Sequence, residues 1–239
     1  MLDYLRYLFN TLDIYEPCYS MVSGIMDRTA EYQVIDLCSG GGGPMENMLH
    51  HLRKQGLPVT VILTDKFPSL KTFRYLQHKT GGRIHFHPSP VDAMNVPRSL
   101  TGIRTIFSGF HHFDESVSVK VLKDAVDARQ PIAVFDGGDR NLLIIAGILL
   151  HPVLLLVFTP FMKPFRWKRL LFTYLIPVIP FCVVWDGIVS IWRLYDSAGL
   201  WKTASLADPS GIFNWSQGKK KNRWGMNITY LLGWPKELK

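Results

Sequence analysis

The most constraining stretch of this chain is VIDLCSGGGGP, residues 34–44, where an apolar run ends in an acid, passes through four glycines and opens through Pro44 onto a helix-compatible segment. Glycine adopts left-handed backbone freely and lets a main chain approach a ligand that a Cβ would hold off. Pro44 suits the first position of a helix, where a missing N–H costs nothing, and the other unpaired N–H groups of that helix start are donors for a ligand. The pattern predicts a strand, a tight loop and a helix in succession, the opening unit of a parallel α/β sheet with a nucleotide-like cofactor at the loop.

Register narrows the cofactor. The dinucleotide fingerprint G-x-G-x-x-G fails twice, its positions falling on Cys38, Gly40 and Gly43 or on Gly40, Gly42 and Met45. A Walker loop fails because no Gly-Lys-Ser/Thr follows. Asp36, at the strand end, would repel a pyrophosphate but suits a cofactor whose nearest group is an ammonium; S-adenosylmethionine has that ammonium and no phosphate. Asp65 ends a second apolar run in VILTDKF, where a carboxylate can accept both ribose hydroxyls, and Phe67 is placed to pack on an adenine face. Asp92, in SPVDAM, is placed to accept from the exocyclic adenine amine, with the Ala93 N–H beside it. A lone strand-end aspartate is more often a turn former or cap; three in order carry more weight.

Strand signals at residues 32–37, 59–64, 83–87, 105–108 and 132–135 alternate with helical stretches at 44–55, 69–78 and 115–128, the rhythm of βαβ units. Two further strands, 212–216 and 227–233, flank a basic turn bearing Lys219, Lys220, Lys221 and Arg223 and predict a closing hairpin. Leu2, Leu5, Leu8, Phe9 and Leu12 have helix spacing, so residues 1–30 read as a helical cap over one end of the sheet. With 239 residues, 47% hydrophobic and 19% charged, the chain reads as one domain, 1–239, at roughly 150 residues per domain, and disorder is excluded. Cys18, Cys38 and Cys182 are too scattered for a disulfide framework or a metal-ligand pair, so no metal is expected. The start MLDYLRYLFN lacks the basic and apolar regions of a signal peptide, which points to the cytoplasm.

These motifs resemble the class I S-adenosylmethionine-dependent methyltransferases over residues 34–137 and the closing hairpin. The family's acid and G-x-G-x-G map onto Asp36, Cys38, Gly40 and Gly42, with Cys38 in place of the first glycine; its ribose acid maps onto Asp65, its adenine acid onto Asp92 and its fourth-strand motif onto SGFHHF, residues 108–113. The resemblance implies a Rossmann-like α/β fold, a seven-stranded, mostly parallel sheet with a reversed C-terminal strand, and a cofactor site completed by Ser39, Gly41, Lys66, Phe67, Ala93 and Ser108. It implies methyl transfer by in-line displacement to an oxygen, nitrogen or carbon. The family's nucleic-acid and protein amine methyltransferases carry Asn/Asp-Pro-Pro-aromatic after the fourth strand; Ser108-Gly109-Phe110-His111-His112 stands here instead, which directs the reading to a small hydrophobic molecule or lipid. His111 or His112 could act as general base, or one could merely cap the next helix, since no third group that would orient either ring is legible. Tyr15, Phe110, Trp185 and Asp186 are the expected substrate contacts.

Residues 141–192 form an apolar insert between the fifth and sixth strands, broken by Pro152, Pro160, Pro164, Pro177 and Pro180. Residues 142–162 carry no formal charge and are long enough for a ~30 Å hydrocarbon core, yet His151 and Pro152 sit midway; residues 170–185 fall short of the ~17–25 needed. A single crossing would strand the closing hairpin on the wrong side of the membrane. A lid over the substrate is favoured, with a shallow element at the inner membrane surface and a spanning hairpin as the other readings; KPFRWKR supports surface contact. Asp186, an acid amid apolar neighbours, is expected either to pair with a base such as Arg193, the favoured reading, or to face the substrate. Net charge is +8, which raises an RNA methyltransferase as a rival, but the bases lie in separate clusters rather than interleaved with aromatics along one groove. A non-catalytic, membrane-anchored cofactor-binding protein is the second rival.

Overall fold

The computed structural model describes residues 2–138 and 142–237; Asn141, where the sequence places the start of the insert, lies outside the described residues. Seven strands form one sheet: β1 (Gln33–Asp36), β2 (Thr60–Leu63), β3 (Ile84–Phe86), β4 (Ile103–Phe107), β5 (Ile132–Gly137), β6 (Phe213–Lys221) and β7 (Asn227–Pro235). Their order is β3-β2-β1-β4-β5-β7-β6. β7 runs antiparallel to both neighbours, and the other pairings are parallel. A seven-stranded, mostly parallel sheet with a reversed C-terminal strand is what the resemblance implies; the order of the strands comes from the structure, and each strand lies within a few residues of its expected bounds, with β6 running on to Lys221.

Alternation along the strands divides the core. Val34 belongs to a cluster with Val22 and Met26 of α2 (Glu16–Thr29), Met48 of α3 (Met45–Lys54) and Phe73 of α4 (Leu70–Lys79). Ile35, one residue on, points to the opposite face with Leu122 of α5 (Glu115–Asp127) and Leu200 of α9 (Ser197–Ala207), as the two-residue period of a strand requires. Ordering the strands around β1 and β4 leaves the carboxyl ends of these two side by side at the point where the chain's direction of winding reverses, the usual ligand crevice of such sheets.

Between β5 and β6 the insert folds into α6 (Leu142–Phe158), a short α7 (Trp167–Leu170) continuing into a π-turn at Leu171–Leu175, and α8 (Val178–Arg193). Its inner face packs on α1 (Leu2–Leu12): Leu155, Met162 and Val183 meet Tyr4 and Leu8. Buried ions reinforce this seam, with Arg169 Nη1 donating to Asp3 Oδ2 at 2.9 Å. The outer face is bare. Only 17% of Ile144–Phe161 is buried, at a mean hydropathy of 2.3, and Trp167–Leu175 bends by 79° against α8.

Candidate active site

The loop between β1 and α3 is held from beneath by its own first residues. Ser39 is buried; its hydroxyl donates to the Asp36 carbonyl at 2.8 Å and accepts from the Thr64 N–H at 3.1 Å, tying the ends of β1 and β2 together. Its side chain is thus committed to the scaffold rather than free for a cofactor. Cys38 takes the left-handed φ of +56° that the resemblance assigns to a glycine, so the exchange keeps the turn. Two glycines answer to the protein's own packing: a Cβ on Gly41 would stand 2.6 Å from the Leu2 carbonyl oxygen, and one on Gly42 2.4 Å from Leu76. α1 therefore lies directly over the loop, where Asn10 also donates to the Gly43 carbonyl at 2.8 Å.

Around Cys38 stand the three acids in the expected order. Asp65 accepts from the Gly40 N–H at 2.7 Å through one oxygen and from the Phe67 N–H at 2.8 Å through the other, which leaves lone pairs on both oxygens for hydroxyl donors. Asp92 accepts from the Met94 N–H and pairs with Lys66 at 2.9 Å; the Met94 bond and then the Lys66 bond hold it below the usual carboxylate range. Asp36 is buried and accepts from the Thr105 hydroxyl at 2.8 Å; burial, reinforced by the charge of Asp65, outweighs the hydroxyls of Ser39 and Thr105 and raises its pKa to about 7. Burial together with the charges of Asp65, Asp36 and Asp92 pushes the Cys38 thiol up to about 12. This field disfavours a pyrophosphate and fits a cation-bearing, phosphate-free adenosine. Phe67 is 81% exposed, free to cover a base. The Ala93 side chain, by contrast, is buried in the core.

On the far side of the crevice, Ser108 leaves β4 at a φ of +51°, and a 3₁₀ turn at Phe110–His112 follows. Here the structure supplies what the sequence left out. Asp136, at the end of the neighbouring β5, accepts from the His111 main-chain N–H at 3.0 Å and from its ring Nδ1–H at 2.9 Å. A neutral ring that donates through Nδ1 keeps its lone pair on Nε2, and Nε2 is buried with no partner among the described residues. Burial alone would lower the His111 pKa, but the hydrogen bond and charge of Asp136, aided by Asp186, turn the net shift upward. His112, its ring centroid 4.2 Å away, shifts downward through desolvation and the charge of His111.

Both histidines line a cavity of about 380 Å³ between α1, α6 and α8, with Leu8, Ile148 and Leu154 among its apolar walls. Tyr15, Ser108 and Asp186 line it too, and Tyr15 is hydrogen-bonded to the Ser108 hydroxyl. Two expected contacts are elsewhere. Phe110 is fully buried on the α5 face against Phe113 and Tyr195, because the 3₁₀ turn directs it inward. Trp185 is 64% exposed and stacks on Phe181 outside the cavity; one residue along α8 rotates it away from Asp186. Asp186 and Arg193 do not pair, and the described ion pairs include neither: they stand seven residues apart on α8, beyond the three or four that bring helix side chains together. Among the described residues no group of three metal-ligating side chains occurs.

No family model matches the chain, and no curated protein matches it. Solved structures do. The S-adenosylmethionine-dependent methyltransferase SibL in its apo form superposes with a TM-score of 0.54 at 12% identity, over 93% of this chain and 56% of that one. NcsB1, an O-methyltransferase from neocarzinostatin biosynthesis in complex with S-adenosylmethionine and 2-hydroxy-5-methyl naphthoic acid, gives 0.53 at 14%, over 96% and 57%. The methyltransferase domain of bacterial CtHen1-C gives 0.53 at 10%, over 92% and 97%. The chain thus spans little more than half the length of the first two. Strand order, the reversed β7 and these superpositions agree: the chain has the class I S-adenosylmethionine-dependent methyltransferase fold.

Proposed function

We propose that the chain is an S-adenosylmethionine-dependent methyltransferase that methylates a hydroxyl oxygen on a hydrophobic small molecule or lipid. The observation that carries this reading is the His111–Asp136 pair, set in the wall of an apolar cavity and beside the crevice that holds Asp36, Asp65 and Asp92. When bound, S-adenosylmethionine supplies a methyl group activated by a sulfonium. Asp65 would receive the ribose hydroxyls, Asp92 the adenine amine once Lys66 yields, and Asp36 would lend charge to the amino-acid end. Fixing an acceptor in line with the methyl group is the larger part of the catalysis. His111 Nε2 takes the hydroxyl proton as the oxygen attacks, and Asp136 stabilises the imidazolium that results. Tyr15, whose pKa burial raises far above its ordinary value, stays a neutral phenol and keeps its bond to Ser108.

Titration calorimetry with S-adenosylmethionine tests the donor site: Asp65→Ala should weaken binding by at least about tenfold, the value of one lost charge-assisted hydrogen bond. An unchanged affinity would remove the ribose assignment. Transfer of labelled methyl to hydroxylated apolar acceptors tests the reaction, and donor binding without turnover across a broad acceptor panel would favour a non-catalytic role.

A further inference from the structure

The insert has two faces with different fates. Inward, Leu155, Met162 and Val183 are buried against α1. Outward, Leu149 (58%), Val157 (53%), Phe161 (65%), Leu175 (76%) and Phe181 (68%) stand exposed. A helix that is apolar all round is normally covered all round, by protein or by lipid, and exposed apolar surface continuing over several elements marks an interaction site.

We propose that the outer face of α6, the π-turn and α8 inserts into one leaflet of an anionic bilayer, so that the protein lies on the membrane without crossing it. Crossing is opposed by the inner face, which the Tyr4 and Leu8 contacts and the Asp3–Arg169 ion pair hold on the globular domain. Charge selects the occupant. Asp186, the insert's only acid, is turned toward the cavity, whereas Lys163 and, in α7, Lys168 are exposed between the long helices. At the other end Arg193 is exposed beside a cleft of about 660 Å³, also lined by Asp196, that adjoins the apolar cavity at Gly138 and Leu194. Two copies joined through this face would bring like charges together, while lipid phosphates would neutralise them. Phe165, Trp167 and Trp192, all more than half exposed, stand beside these bases, the placement of interfacial aromatics. Because the same helices wall the cavity, an acceptor dissolved in the leaflet would have a short path to His111; this last step alone rests on the methyltransferase reading.

Flotation of the full chain with phosphatidylcholine vesicles, with and without phosphatidylglycerol, tests the proposal without any methyl transfer. The protein should float with the anionic vesicles and partition about tenfold less onto pure phosphatidylcholine. Leu175→Asp combined with Phe181→Asp should abolish flotation, and Lys163→Glu with Lys168→Glu should weaken it, both keeping the wild-type melting temperature and affinity for S-adenosylmethionine. Wild-type protein that stays at the bottom with anionic vesicles would overturn the proposal, as would flotation untouched by the Leu175/Phe181 pair. A dimer by light scattering that this pair dissociates, with no flotation, would assign the face to a second copy instead.

Discussion

His111 and His112 are adjacent in the chain yet titrate in opposite directions, because only His111 reaches a carboxylate. As a base His111 must be neutral, so the rate should rise with pH through its elevated pKa. In Asp136→Asn only the weaker pull of Asp186 still opposes burial: the midpoint of the pH–rate profile should move down while the plateau falls by about 10²–10⁴, the worth of an oriented base. The same shifts govern folding. Asp36 near 7 and His111 above its usual value both bind protons more tightly when folded, so their contribution is complete at low pH and fades as pH rises through those values. Melting temperature should therefore fall from about pH 4, where Asp36 ionises in the unfolded chain, to about pH 7, where it ionises in the folded one, with a further fall above about pH 6.5 from His111, and a double Asp36→Asn, Asp136→Asn variant should show a flatter profile. Asp36, Asp65 and Asp92 were legible because each ends or follows a strand signal within one local motif. Asp136 also ends a strand, in VFDGG, but its link to His111 exists only because β5 lies beside β4, a pairing across strands that no spacing in the chain displays.

At the scale of elements, the bounds of β1 to β5 and of α3 to α5 followed from periodicity and turn residues, and the seven-stranded sheet with its reversed last strand from the family likeness, whereas the strand order and α9 did not. What periodicity could not resolve is an element apolar on every side: in α6 no stripe distinguishes the face that meets α1 from the face left bare. The glycine loop was likewise half read, since nothing in GGGG shows that α1, more than a cofactor, requires Gly41. Gly41→Ala should push the Leu2 backbone away and cost about 1–3 kcal/mol by chemical denaturation, with faster amide exchange along α1. A separate prediction concerns the buried Arg104 guanidinium, which donates to Asp124 at 2.6 Å: Asp124→Ala leaves that charge unpaired and should cost about 3–5 kcal/mol.

For the whole molecule, the two clusters that sandwich the sheet contain no residue of α6, α7 or α8. Replacing residues 142–193 by a short Gly/Ser linker should therefore preserve the sheet's circular dichroism and leave donor binding measurable, while α1 frays and acceptor turnover is lost; calorimetry and amide exchange would report each part. α1 itself stands between two chambers, pressed on Gly41 along one side and forming a wall of the apolar cavity along the other. A guest that shifts this partition from either side alters the room next door, and equilibrium requires the favour or penalty to be returned in equal measure. The two guests of such an enzyme would not be strangers to one another.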